Sequence, residues 1–241
     1  MNFSTNAADL AMSADEEFNR GLRKSLIDGA AAVEIWTPLA RQGLGHASYY
    51  LAVWFGKGLG IPQDISEAVK WLRLSVVQGF DLEPRFLAAI DELERLLTDA
   101  SHGDIDAQTK LGVMYFDGVE MGWVSYSEAA RWWRTAAEKG GARAQTYLGF
   151  LYAEGKGVPR DARKAASWWM RAAAQGSAIA KFNLGVLMAG SDGRPRNMED
   201  AMKWYRLAAQ EGLTNAWVQV ATIKLLGLSL AQKFIPPEVT N

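Results

Sequence analysis

The sequence has no cysteine in 241 residues, which excludes disulfide staples, thiolate metal ligands and a thiol nucleophile. Histidine is scarce as well. His46 and His102 are the only two, and neither stands in a spacing such as H-E-x-x-H or near a serine-based triad motif, so general-base or metal chemistry has little to work with. An excess of charge of one sign is also missing, with 26 Lys plus Arg against 27 Asp plus Glu. Neither sign gathers into a run that would track a phosphate backbone or an anionic lipid surface, which argues against nucleic acid and membrane as partners. No apolar run approaches the roughly 18 residues of a membrane span, and residues 1–15 carry no basic segment ahead of an apolar one. The expected location is cytoplasmic. No cofactor motif is present. Gly155-Lys156-Gly157 lacks both the P-loop spacing and a preceding strand, and its recurrence at 58–60 reads as a turn.

What the chain does have is tryptophan, in register. Trp132, Trp168 and Trp204 stand 36 residues apart, and so do Gly140, Gly176 and Gly212. Gly79 follows Trp71 by the same eight residues that separate Gly176 from Trp168. A fixed period of this length is the mark of stacked supersecondary units. The clearest copy reads Ala144, Leu148-Gly149, Tyr152, Gly155, Gly157-Val158, Asp161, Lys164-Ala165, Trp168, Ala172-Ala173 and Gly176. Ala144, Leu148 and Tyr152 are four apart and share a helix face. Glycines at 155 and 157 stop that first helix. Asp64, Ser125, Asp161 and Asn197 hold one equivalent position, and all are preferred N-cap residues for a second helix. Asp64 with Glu67, Ser125 with Glu128 and Asn197 with Asp200 have the spacing of a capping box.

This pattern resembles the Sel-one-like repeat, a relative of the tetratricopeptide repeat, over four copies at 45–80, 105–141, 142–177 and 178–213. The resemblance implies an all-α fold, an α–α superhelix of helix pairs forming a single repeat domain over 1–241. Gly43 and Asp28 extend the frame backwards, so 1–44 reads as a degenerate first copy with its second helix at 29–43. Residues 81–104 are an insertion, with Phe86, Leu87, Ile90, Leu93 and Leu97 at the spacing of one amphipathic helix over 83–99. Residues 214–241 read as a C-terminal capping helix, over 215–234, and a tail. Within each second helix the first aromatic of the pairs Trp132-Trp133, Trp168-Trp169 and Trp204-Tyr205 takes the core position, and the second points elsewhere.

The resemblance also implies a role in holding another protein or peptide, as an adaptor or scaffold with no cofactor and no metal. In tetratricopeptide geometry the first-helix residues flanking the Leu-Gly pair face a concave groove. That selects Tyr49, Val53, Thr109, Val113, Thr146, Phe150, Phe182 and Val186, and adjoining turns add His46, Phe116 and Arg143. Several are aromatic or β-branched, and an apolar stripe left open is a binding surface. The competing reading is that they pack on each other. Two functional alternatives stand beside the adaptor: an inhibitor or immunity protein that caps a toxin or effector, and a hydrolase or small-molecule binder using polar groups in the groove. Cysteine-rich relatives associated with β-lactams carry cysteine staples that this sequence lacks.

Overall fold

The structure, a computed structural model, describes residues 7–118, 120–190 and 197–226, apart from the side chains of 7–13 and 222–226. The described residues form twelve helices and no strand: α1 (Ala7–Ser25), α2 (Gly29–Arg41), α3 (Gly45–Lys57), α4 (Ile65–Val77), α5 (Pro84–Ser101), α6 (Ile105–Asp117), α7 (Tyr126–Glu138), α8 (Ala142–Glu154), α9 (Ala162–Ala174), α10 (Ala178–Met188), α11 (Met198–Gln210) and α12 (Thr214–Leu226). The fold is an all-α superhelix of helix pairs. Of the capping helix expected at 215–234, the part beyond residue 226 lies outside the described residues.

The chain divides into two compact units, residues 1–91 with 120–123, and residues 92–119 with 124–241. In the first unit α1 pairs with α2 and α3 with α4. Its core gathers Ala32, Trp36, Leu39, Ala47 and Leu51, with Phe18, Tyr50 and Trp54 packed against them. Trp123 is buried in this unit as well, against Gly56 of α3. It is 2% exposed, and a Cβ placed on Gly56 would come within 2.3 Å of its indole. The sequence frame gave Trp123 no role, because it lies in the loop where the 105–141 copy carries an extra residue.

In the second unit α6 pairs with α7, α8 with α9 and α10 with α11, and α12 packs on α11. One contact explains the repeat. A Cβ on Gly112, Gly149 or Gly185 would fall 2.1, 2.5 or 2.6 Å from the ring of Trp133, Trp169 or Tyr205. The glycine in each first helix is therefore the seat of a large ring from the second. The indole N–H of Trp133 donates to the Thr109 carbonyl at 3.0 Å, and that of Trp169 to the Thr146 carbonyl at 3.1 Å.

This seat overturns the expected assignment of faces. Trp133, Trp169 and Tyr205, the second aromatics, are at most 1% exposed, whereas Trp132, Trp168 and Trp204 are half-buried. Arg131 lies over the Trp132 ring and Arg171 over the Trp168 ring. In α9 the buried set is Ala165, Ala166, Trp169, Ala172 and Ala173. Spacing alone allows either tryptophan to complete that stripe, since positions three and four after Ala165 both lie near its face.

Caps fix the helix starts. Asp64 accepts from the Glu67 amide, Asp161 from those of Arg163 and Lys164, and Asn197 from that of Asp200. Ser125 occupies the same position without a side-chain cap bond. Its backbone explains why the position recurs: the amides of Asp64, Ser125, Asp161 and Asn197 donate to the carbonyls of Phe55, Tyr115, Tyr152 and Met188 at 2.8–2.9 Å. The reciprocal arm of the capping box goes elsewhere. Glu67 pairs with Lys70 and Glu128 with Arg131. Asp28, in the same frame position as Asp64, accepts from the Ala31 amide. Two further caps, Asp104 and Ser177, accept from Ala107 and Ala180 and lie outside that frame position.

Glutamines, buried at 108 and 145 and exposed at 175, join successive elements. Gln108 donates to the Ala100 carbonyl and Gln145 to the Ala137 carbonyl, while Gln175 donates to the side-chain oxygen of Gln145.

Candidate protein-docking surface

The eleven groove positions fall into the two units and into three states of exposure. In the first unit His46 is exposed, and Tyr49 and Val53 are half-buried. Tyr49 stacks flat on Phe80, 4.3 Å between centroids and 15° between planes, and the His46 ring meets the Phe80 edge at 5.3 Å. The Phe18 ring also lies 6.4 Å from that of His46, at 65° to it. These rings make an aromatic surface whose outermost member is an imidazole. Phe80 lies just past the Gly79 turn, at a position no first-helix template selects.

In the second unit most of the selected residues are not open. Thr109 and Thr146 are 5% and 2% exposed, Phe150 is 6%, Phe182 is 0% and Val186 is 2%. The threonine hydroxyls bond back to their own helix, Thr109 to the Ile105 carbonyl and Thr146 to the Ala142 carbonyl. Thr146 also meets the Ser177 hydroxyl at 3.0 Å. Phe182 packs on Tyr205 at 5.2 Å. The physical reason is the ring seat: residues beside the glycine lie against the aromatic it receives, so the template's groove positions are walls of the core here. Val113 and Phe116 stay half-buried and Arg143 exposed.

One group of rings on this unit is held together by a cation. The Lys156 ammonium lies 5.3 Å from the Phe116 ring centroid, 5.2 Å from that of Tyr126 and 5.7 Å from that of Phe150.

Among the described residues the titratable groups with a resolved shift, the bonded pair Glu92 and Arg95 aside, lie apart from one another along the helices. Lys70, Glu92, Arg95 and Lys203 are shifted by hydrogen bonds to neighbours along their own helices, Glu67, Arg95, Glu92 and Glu199 respectively. Asp161 is lowered by the Lys164 amide that it caps, and Asp117 is raised by desolvation. Among the described residues no group of His, Asp and Glu is arranged to hold a metal ion, and no helix is long and apolar enough to cross a membrane.

The Sel1 repeat model matches the sequence at 45–79, 105–141, 142–177 and 178–213. The chain belongs to the Sel1 repeat family. Sel1 repeat proteins generally mediate protein–protein interaction, and the family is typically a non-enzymatic scaffold. Among solved structures, this Sel1 repeat chain is similar to c5321, a protective antigen of uropathogenic Escherichia coli displaying an SLR fold. The two share 27% identity and a TM-score of 0.53 over 91% of this chain and 51% of that one. The chain thus spans about half the length of that relative. A Sel1 repeat protein from Oxalobacter formigenes is similar at 27% identity and a TM-score of 0.47, covering 87% of this chain and 73% of that one. Immunity protein Pa5087 from Pseudomonas aeruginosa is similar at 20% identity and a TM-score of 0.39, covering 83% and 82%. No curated protein matches the sequence.

Proposed function

We propose that this Sel1 repeat protein is a cytoplasmic adaptor that docks a protein or peptide on the aromatic residues its first helices leave open. The observation that carries the reading is the stacked pair Tyr49 and Phe80 with exposed His46 beside it. Half-exposed aromatic rings in a row offer a partner large contact area with little side-chain entropy to lose, which is why aromatics dominate interface energetics. In the second unit Arg143 is exposed, and Phe116 is half-buried with the Lys156 ammonium over its ring. A protein occupant fits better than a small molecule, because among the described residues the perturbed groups are scattered along helix surfaces rather than gathered around a polar pocket.

The test begins with crosslinking capture of the partner from the source cell. Affinity is then measured for Tyr49→Ala, Phe116→Ala and, as an exposed control on α9, Arg163→Glu. Each variant is first checked for folding by circular dichroism. Loss of an aromatic anchor is expected to weaken binding by about 2 kcal/mol, roughly 30-fold, while the charge reversal changes it little. Folded aromatic variants that bind like the wild type, with a control that does not, would move the site to the second helices.

A further inference from the structure

The three rings around Lys156 are not what the repeat requires. At the frame position of Phe150 the other copies carry Val53, Val113 and Val186, and at that of Phe116 they carry Gly56, Ala153 and Ala189. At the position of Tyr126 they carry Ile65, Ala162 and Met198, and at that of Lys156 they carry Leu59, Val119 and Asp192. Phe150 replaces a valine and Phe116 a glycine or alanine, and they meet Tyr126 and Lys156, from two positions that differ in every copy, at one place. Phe116 and Tyr126 are 5.2 Å apart at 56°, and Phe116 and Phe150 are 6.1 Å apart at 70°. The rings therefore present faces to a common point from different directions, the geometry that recognises alkylammonium groups. The ammonium at that point has no carboxylate partner among the described residues.

We propose that Phe116, Tyr126 and Phe150 form a cage for an alkylammonium group, that Lys156 is its resident occupant, and that a lysine side chain of the docked partner takes its place. The partner's lysine rests on the adaptor reading above; the cage itself does not. Gly155 and Gly157, with φ of 71° and 68°, flank Lys156. A Cβ on Gly157 would come within 2.3 Å of the Tyr126 backbone. The loop is thus pressed onto the start of α7, and only the flexible stem of Lys156, itself half-buried, has to leave. An occupant tethered this closely competes at an effective concentration on the order of millimolar or above. The wild-type cage is therefore closed to free cations, and a partner must bring its lysine in by docking alongside.

The test uses the full chain and choline, with its uncharged carbon isostere 3,3-dimethylbutan-1-ol as the control, titrated by proton NMR. A ring cage shifts the N-methyl resonance upfield. In Lys156→Ala, choline should bind about tenfold more tightly than in the wild type, and several-fold more tightly than the isostere. Adding Phe116→Leu to Lys156→Ala should abolish the difference between choline and the isostere. Lys156→Met, which leaves the loop glycines in place, gives a second neutral variant, and circular dichroism checks each fold. Equal choline affinity in the wild type and both neutral variants overturns the cage, as does an isostere that binds as well as choline. A cage that binds choline together with aromatic variants that capture the partner normally would retain the cage and discard the docking reading.

Discussion

The repeat is decided at single residues where a missing side chain meets a large one. Gly149 lacks a Cβ at the point where the Trp169 ring lies, and a Cβ there would stand 2.5 Å from the indole nitrogen. Trp169 is 0% exposed, so the ring has nowhere to retreat. Gly149→Ala should accordingly cost about 1–3 kcal/mol by overpacking, read as a lower urea midpoint with unchanged slope. Trp169→Ala should cost about 3–5 kcal/mol. Trp168→Ala should cost clearly less, because that side chain is half-buried and rests under Arg171. Equal losses at the two tryptophans would contradict the ring-seat description. The sequence made the period legible, but not which aromatic of each pair goes inside. Residues 168 and 169 both fit a stripe through Ala165 and Ala172, and what separates them is the partner helix. A sharper clue was present: Trp36, 36 residues before Leu72, continues the series of second positions backwards, and Trp36 is fully buried.

The helices α2, α4, α6, α9, α10 and α11 open on a side-chain cap, local chemistry that a chain shows without its tertiary partners. Ser177 opens α10 by accepting from the Ala180 amide at 3.2 Å, and its hydroxyl also reaches Thr146 on α8. Ser177→Ala should therefore cost about 0.5–2 kcal/mol, and the double variant with Thr146→Val should lose less than the sum of the singles. Asp161 supports a test by pH. The Lys164 amide holds its carboxyl below the usual range, so its contribution is complete above the ordinary carboxylate value of about 4 and is lost as pH falls through the lower folded value. Asp161→Asn, which cannot ionise, should melt below the wild type at neutral pH, and the gap should shrink as the solution is acidified. A gap that stays constant down to about pH 2 would mean that the charge contributes nothing. Side-chain reach is less local. Glu67 and Glu128 have capping-box spacing yet turn to cations three residues onward, because an exposed carboxylate one turn from a cation has a second outlet that spacing does not reveal.

Across the whole molecule, stacking turns a template's groove into partly buried wall. The frame located Phe150, Phe182 and Thr146 correctly along their helices, but their exposure depends on the size of what neighbouring elements bring. Phe182 lies against Tyr205, and Phe150 stands beside Phe116. No single-helix pattern contains that information, and the same holds for Phe80 and Trp123, which reach the surface and interior of the first unit from turns. Each unit has its own centre, Trp36 with Leu39 and Leu51 in one and the rings seated on Gly112, Gly149 and Gly185 in the other. In arrays of this kind stability is close to a sum of repeat and nearest-neighbour terms, so damage stays near its origin. Trp169→Ala should therefore strip amide protection from α8 and α9, and to a lesser degree from α7 and α10, which pack on them. The amides of α2 and α3 should keep wild-type exchange rates. Trp123→Ala, in the first unit, should do the reverse, loosening α3 around Gly56 and leaving α8 and α9 protected. Hydrogen exchange followed by mass spectrometry reads both variants peptide by peptide. A uniform loss of protection over both units from either substitution would show one cooperative block, in which the aromatic surfaces around Tyr49 and Phe116 could not respond to a partner independently.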